Sequence, residues 1–262
     1  MKNVRWKASR LGFTLLEVLI SLLILGIISL AFIRIFSTTL DATDRITDRN
    51  ALLHEAQIAE QVIANRVKLA WYIFPPGTSI YINNGATTHN YLASSNTWVV
   101  GTDPILAMVL PPKKPGHTEM CDSSHRKYCF RFYAYYAFKR SDYINAVSPS
   151  SAEALYPDSN NGDTWVIMEF RRTLTNVTDP ANITPPNGDA VFASVKGRLL
   201  VEYIQPEQVS PSYSLFTVRP DSSVDIAIRM LRHSSRRDYH VPKTSDPPLT
   251  IRVVPRNLGV GN

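Results

Sequence analysis

The chain predicts an α+β fold: one long N-terminal helix laid on an antiparallel β-sheet with long loops. Three observations carry that expectation. Residues 13–33 form a 21-residue apolar run in which Glu17 is the only charge. From Asp41 onward, apolar residues recur every three or four positions, at Ile46, Leu52 or Leu53, Ala56, Ala59, Val62 or Ile63, Arg66 or Val67, and Ala70. Beyond Pro76 the period changes to two, and the 18 prolines of the 262-residue chain mark a loop-rich, strand-rich remainder.

The elements follow in chain order. Residues 1–12 carry Lys2, Arg5, Lys7 and Arg10 and no acid, so this end stays in the cytoplasm and the rest is exported. Residues 13–34 are a transmembrane helix, about 31 Å long at ~1.5 Å per residue. An ionised side chain inside such a span costs at least ~2.5 kcal/mol, so Glu17 needs a partner. Residues 35–74 continue the helix amphipathically, with Asp44, Arg45, Asp48, Arg49, Glu55 and Glu60 opposite the apolar stripe. The helix runs to about Trp71 and stops before Pro75-Pro76, which cannot continue it. Residues 75–262 are then a β-rich domain with a core of its own.

Within that domain Val224, Ile226, Ile228 and Met230 alternate with Asp225, Ala227, Arg229 and Leu231, a strand with one buried face. Phe130, Phe132, Ala134, Tyr136 and Phe138 give a second strand. Residues 164–170, 198–204 and 249–254 complete five. Residues 76–96, 111–127, 145–163 and 176–189 read as loops.

The stretch Gly12-Phe13-Thr14-Leu15-Leu16-Glu17-Val18 resembles the type IV prepilin signature, in which a small residue precedes Phe-Thr-Leu and a glutamate stands fifth after the cut. The resemblance implies a pilin-like fold, prepilin peptidase cleavage between Gly12 and Phe13, and N-methylation of the new Phe13 amine. That amine, set beside the Glu17 of an axially displaced neighbour, offsets the burial of both charges and fixes packing register. Glu17 is then an assembly residue. Pilin anchor helices often carry a proline about two turns after a glycine; here Gly26 is followed at that position by Arg34, which keeps the helix intact and reaches the outer head groups. Two other readings stay open: a secretory signal cut after Ser29-Leu30-Ala31, and a plain membrane anchor.

The strand order and the terminal Leu249-to-Asn257 segment ending in Arg-Asn are similar to the larger minor pilins of the PilW/PulJ type. That implies a single-pass protein of the bacterial inner membrane with its C-terminal domain in the periplasm, which then enters a pilus. Implied partners are other minor pilins, the major pilin, the prepilin peptidase, the inner-membrane assembly platform and inner-membrane lipid. A type II secretion pseudopilin shares the same helix. A filament-tip adhesin or DNA-binding subunit is the rival from another class, with residues 76–96 and 111–127 as its candidate loops.

The leader holds four of the 28 Lys and Arg, leaving 24 against 22 acids, so the processed chain is only weakly basic. Arg229, Arg232, Arg236 and Arg237 make a local basic segment, read as a solvated strand end with DNA as a weaker alternative. Cys121 and Cys129 are the only cysteines, and in an exported domain they predict a disulfide worth about 2.5 kcal/mol. His117, Cys121, His125 and Cys129 recur every fourth residue, which leaves a zinc site as the alternative. Nothing calls for a cofactor or a metal. No nucleophile elbow, phosphate loop or His-Glu-x-x-His motif is present, and Asp163, Glu169 and Glu202 stand singly, so the expected role is not enzymatic.

Overall fold

The structure, a computed structural model, describes residues 14–82, 85–114, 121–122, 124–151, 154–174, 197–235 and 237–258. The chain divides into two compact units between Asp48 and Arg49, a boundary that falls inside one helix. That helix, α1 (Leu15–Lys68), is unbroken through Gly26 and Arg34. It ends at Lys68, a little before the expected Trp71. Leu69 N and Ala70 N donate to the carbonyls of Arg66 and Val67, a tightening that satisfies two orphan acceptors. Arg66 and Lys68 in the last turn complement the helix dipole.

The other elements are β1 (Tyr72–Ile73), β2 (Ser79–Tyr81), β3 (Thr97–Val99), β4 (Ile105–Leu110), β5 (Phe130–Lys139), α2 (Arg140–Ala146), β6 (Trp165–Leu174), β7 (Arg198–Ile204), β8 (Phe216–Val218), β9 (Val224–Ile228), β10 (Met230–His233), β11 (Asp238–Val241) and β12 (Leu249–Val253). Seven strands form one curled sheet in the order β1-β4-β5-β6-β7-β10-β11, and every adjacent pair is antiparallel. A three-stranded sheet, β12-β9-β8, and the β2-β3 pair complete the unit.

The second half of α1 covers one face of the large sheet. Burial begins at Leu52 and continues through Ala56, Ala59, Ile63, Ala64 and Val67. This is the expected stripe with its ambiguities resolved to Leu52, Ile63 and Val67; Ile46 is exposed. Alanines at three of those positions give the buried face of the helix a small-residue stripe. The Arg66 guanidinium lies 5.1 Å from the centre of the Tyr133 ring, and Glu55 sits near Glu202 of β7 and Arg232 of β10. The helix therefore crosses obliquely from β7 and β10 at Glu55 to β5 at Arg66. Burial, then the neighbouring Glu202, pushes the Glu55 carboxyl above its usual range.

The opposite face of β5 carries an aromatic layer. Phe132 packs edge-on to Phe74 and Phe170 at 5.9 and 6.0 Å, and Tyr136 lies 4.8 Å from Trp98. Tyr136 Oη donates to the Thr87 carbonyl at 2.8 Å, and Trp98 Nε1 to that of Thr88 at 3.0 Å. These bonds hold a 3₁₀ turn (Ala86–Thr88) down on the sheet. A Cβ at Gly197 would lie 2.2 Å from Tyr136 Oη, so only glycine lets β7 enter beside that pin.

Four expectations are corrected. The run 224–231 is not one strand: Val224 to Ile228 pairs with β8 and β12, whereas β10 joins the large sheet, and the chain changes sheet at Arg229. Residues 76–96 are not all loop, because β2 and the 3₁₀ turn lie within them. Residues 145–163 likewise contain the end of α2 and a 3₁₀ turn (Ser159–Asn161). The strand β4 was not expected at all. The strand expected at 164–170 extends to Leu174, 198–204 is matched, and the last strand ends at Val253. The expected loop 176–189 lies outside the described residues.

Asp225 ties the small sheet together. Its carboxylate accepts Arg252 Nε at 2.7 Å from β12 and Arg219 Nε at 2.8 Å from the chain beyond β8. Arg252 first, then Arg219, hold the Asp225 carboxyl below the ordinary carboxylate range.

Candidate functional site

The first turn of α1 is closed by its own side chains. Glu17 N donates to Thr14 Oγ1 at 3.3 Å, while Thr14 N donates back to Glu17 Oε2 at 3.3 Å. Thr14 Oγ1 also reaches Glu17 Oε2 at 3.4 Å. This is a reciprocal capping box, a threonine followed three residues later by glutamate, and it satisfies two orphan amides at the helix start. Within the single chain, then, Glu17 is engaged by its own helix start. The Thr14-x-x-Glu17 spacing that encodes this cap is local in the sequence, and the cap is a second role for Glu17 beside the expected pairing with a neighbour. Gly12 and Phe13 lie outside the described residues.

Behind that cap the helix exposes apolar side chains all round. Leu15 is 81 % exposed, Leu30 70 % and Phe32 69 %, with their neighbours close behind. A patch of this size and purity is a contact surface for lipid or for other helices, since water would not leave it bare. By length and composition α1 is able to cross a membrane. Where the apolar run gives way, Ser37 and Thr38 both bond back to the Arg34 carbonyl, at 2.9 and 2.8 Å. Thr39 and Thr43 bond to the carbonyls of Ile35 and Thr39, each at 2.9 Å. Each hydroxyl is satisfied within the helix.

Cys121 and Cys129 form a disulfide with Cα atoms 4.8 Å apart. Bonding to each other removes both thiolates that a zinc site would need. His125 instead pairs with Asp122 at 3.0 Å, and Asp122 Oδ1 accepts Ser124 N and His125 N at 2.7 Å each. Those bonds, the His125 ring first, keep Asp122 below the usual carboxylate range. His117 lies outside the described residues. Replacing both cysteines by serine is expected to lower unfolding free energy by about 2–3 kcal/mol in urea titrations; an effect under ~1 kcal/mol would mean the loop is held by its other bonds.

The basic segment near 229–237 is taken apart by the fold. Arg229 is 3 % exposed and donates to the carbonyls of Lys243 and Asp246, so it pins the crossing between sheets and is not a solvated strand end. Arg232 lies 5.4 Å from the centre of the Tyr203 ring, and Arg236 is outside the described residues. The solitary carboxylates also stay apart. Glu169 accepts Tyr135 Oη at 2.8 Å, Glu202 accepts Arg140 Nε at 2.9 Å, and Asp163 pairs with Lys139 at 3.5 Å. Among the described residues no group of three or more His, Cys, Asp or Glu is arranged to hold a metal ion.

Residues 7–33 match the family model of the prokaryotic N-terminal methylation motif. Comparisons with curated proteins and with solved structures gave no match.

Proposed function

We propose that this type IV prepilin-like protein is a minor pilin of the PilW/PulJ type, which primes or enters a type IV filament. The carrying observation is the methylation motif at residues 7–33, set on a capped helix whose first half exposes apolar side chains. The leader, residues 1–12, holds the chain in the inner membrane with residues 75–262 in the periplasm. Prepilin peptidase cuts after Gly12 and methylates the Phe13 amine.

Assembly then rests on two physical terms. Bundling removes the bare apolar surface from lipid and packs it against other helices, which fixes position along the filament. Glu17, already at the helix start beside Thr14, turns to a neighbour's Phe13 amine, so a carboxylate and an ammonium are buried together and not separately. Partners on this reading are the major pilin, other minor pilins and the inner-membrane assembly platform. On this reading the role is mechanical, not catalytic.

The test is the location of the chain. Filaments sheared from cells, probed with antibody against the globular unit, are expected to contain the protein at low stoichiometry. Its confinement to the membrane fraction, with filaments abundant, would contradict the proposal.

A further inference from the structure

We propose that β12 is an open sheet edge through which two copies of this chain pair, strand against strand, into an antiparallel dimer. This goes beyond the assembly role and does not depend on it. The direction of the β12 backbone follows from its neighbours. Arg219 N donates to the Ser223 carbonyl at 2.9 Å, and Ala227 N to that of Leu215 at 3.0 Å. In an antiparallel ladder hydrogen-bonded and non-hydrogen-bonded pairs alternate along the strand. Asp225 and Ala227 therefore face β8, which leaves Val224, Ile226 and Ile228 to bond β12 through Val253, Ile251 and Leu249. Thr250 and Arg252 turn their amides and carbonyls outward, and among the described residues no backbone group meets them.

The other edges are guarded. β1 is two residues long and runs into Pro75-Pro76. β11 opens with the exposed Asp238, a residue that disfavours strand pairing. On β8 the outward Phe216 carbonyl accepts Ser214 Oγ at 3.2 Å. On β3 the outward Val99 amide donates to Asp103 Oδ2 at 2.7 Å, and β2 has only three residues. Short length, charge and side-chain caps are the ordinary defences against strand addition. β12 runs for five residues without a bulge against β9. Its one charge is drawn back onto the neighbouring strand, where Arg252 Nε donates to Asp225 at 2.7 Å.

A second copy is the strand that fits this edge. Leu249, Ile251 and Val253 line the core side, where Val253 is buried and the other two are only partly covered; Thr250 and Arg252 lie on the exposed side. A two-fold axis at Ile251 sets Ile251 against its own equivalent, Leu249 against Val253, and Thr250 against Arg252. Apolar side chains then meet apolar ones and cover Leu249 and Ile251, while each Thr250–Arg252 pair exchanges its free backbone bonds. Centring the axis on Arg252 would put like charges directly opposite. Centring it on Thr250 would face Arg252 with Pro248, which has no amide to give. The matched register uses the same edge on both copies, so the assembly closes at two.

The test uses the full chain in detergent micelles with single cysteines added on and just after β12; Cys121 and Cys129 bond each other and do not compete. Facing residues of a non-hydrogen-bonded pair stand about 4.5 Å apart at Cα, within disulfide reach. Ile251→Cys is therefore expected to give a covalent dimer under copper phenanthroline. Thr250→Cys and Val254→Cys do not face themselves and are expected to run as monomers on non-reducing gels. Thr250→Pro deletes an outward amide and leaves the β9 ladder intact. It is expected to keep the circular dichroism of the parent and to weaken dimerisation at least about tenfold in sedimentation equilibrium. Should it lose the parent spectrum, the cysteine series decides alone. A parent that stays monomeric at the highest concentration reached, equal cross-linking at all three cysteines, dimerisation unmoved by a folded Thr250→Pro, or coupling of Ile251→Cys to a different polypeptide in membranes overturns the proposal.

Discussion

Replacing Glu17 by alanine is expected to leave cleavage after Gly12 largely intact and to lower the protein recovered in sheared filaments at least about tenfold. Cleavage survives because the leader and the Gly12-Phe13 junction are untouched. Incorporation suffers because a neighbouring subunit's N-terminal ammonium, once buried in the bundle, loses the Glu17 carboxylate, which is the only charged side chain this subunit offers within residues 13–33. A lone charge in that setting costs several kcal/mol, against 1.4 kcal/mol for each factor of ten. Thr14→Ala separates this from loss of the helix cap. It removes the hydroxyl that accepts Glu17 N at 3.3 Å but keeps the carboxylate, and a cap alone is worth about 1 kcal/mol. Recovery of Thr14→Ala within a few fold of the parent, with Glu17→Ala depleted, supports charge pairing. Equal depletion of the two would make Glu17 a cap and nothing more.

The second large effect is structural and sits where five segments of the globular unit meet. Arg140 opens α2, is 2 % exposed, and donates through Nε to Glu202 of β7 at 2.9 Å and through Nη2 to the Tyr156 carbonyl at 2.9 Å. Its guanidinium also lies 5.3 Å from the centre of the Tyr203 ring, which Arg232 approaches at 5.4 Å. Tyr203 has φ of 63°, a left-handed conformation that a bulky residue adopts only under constraint, so the two stacked cations help hold β7 in its irregular register with β6. Arg140→Ala leaves Glu202 beside Glu55 without its closest cation. It is expected to lower unfolding free energy by about 3 kcal/mol in urea titrations of the full chain. Arg140→Lys recovers only part of this, because an ammonium does not reproduce the fork. The exposed pair of Lys139 and Asp163 offers the contrast, and Lys139→Ala is expected to change stability by no more than ~0.5 kcal/mol. A loss under about 1 kcal/mol for Arg140→Ala would show that the cluster is ornamental to the fold.

What the sequence disclosed follows the physics of each element. The helix was legible because apolar length and a three-to-four period are local signals, and the step from Leu52 to Val67 repeated them cleanly. β5 and β7 were legible from their apolar and aromatic runs bounded by turn residues. β4 was not, because Ile105 to Leu110 are all buried, on both faces, and a run with no alternation carries no period to read. The pattern from Val224 to Leu231 is continuous, yet the chain crosses between sheets at Arg229; nothing local reveals that a buried guanidinium will bind the Lys243 and Asp246 carbonyls. The Thr14–Glu17 cap is written in the sequence as a threonine followed three residues later by glutamate, a signal overshadowed by the cost of a lone carboxylate in an apolar run.

Everything proposed for assembly depends on a processed amine at residue 13, and mass spectrometry of the mature N-terminus tests that directly. The account predicts a first peptide that begins at Phe13 and carries one N-methyl group. A first residue at Phe32, as after signal peptidase cleavage beyond Ala31, or a retained leader beginning at Met1 in filament-associated protein, would contradict it.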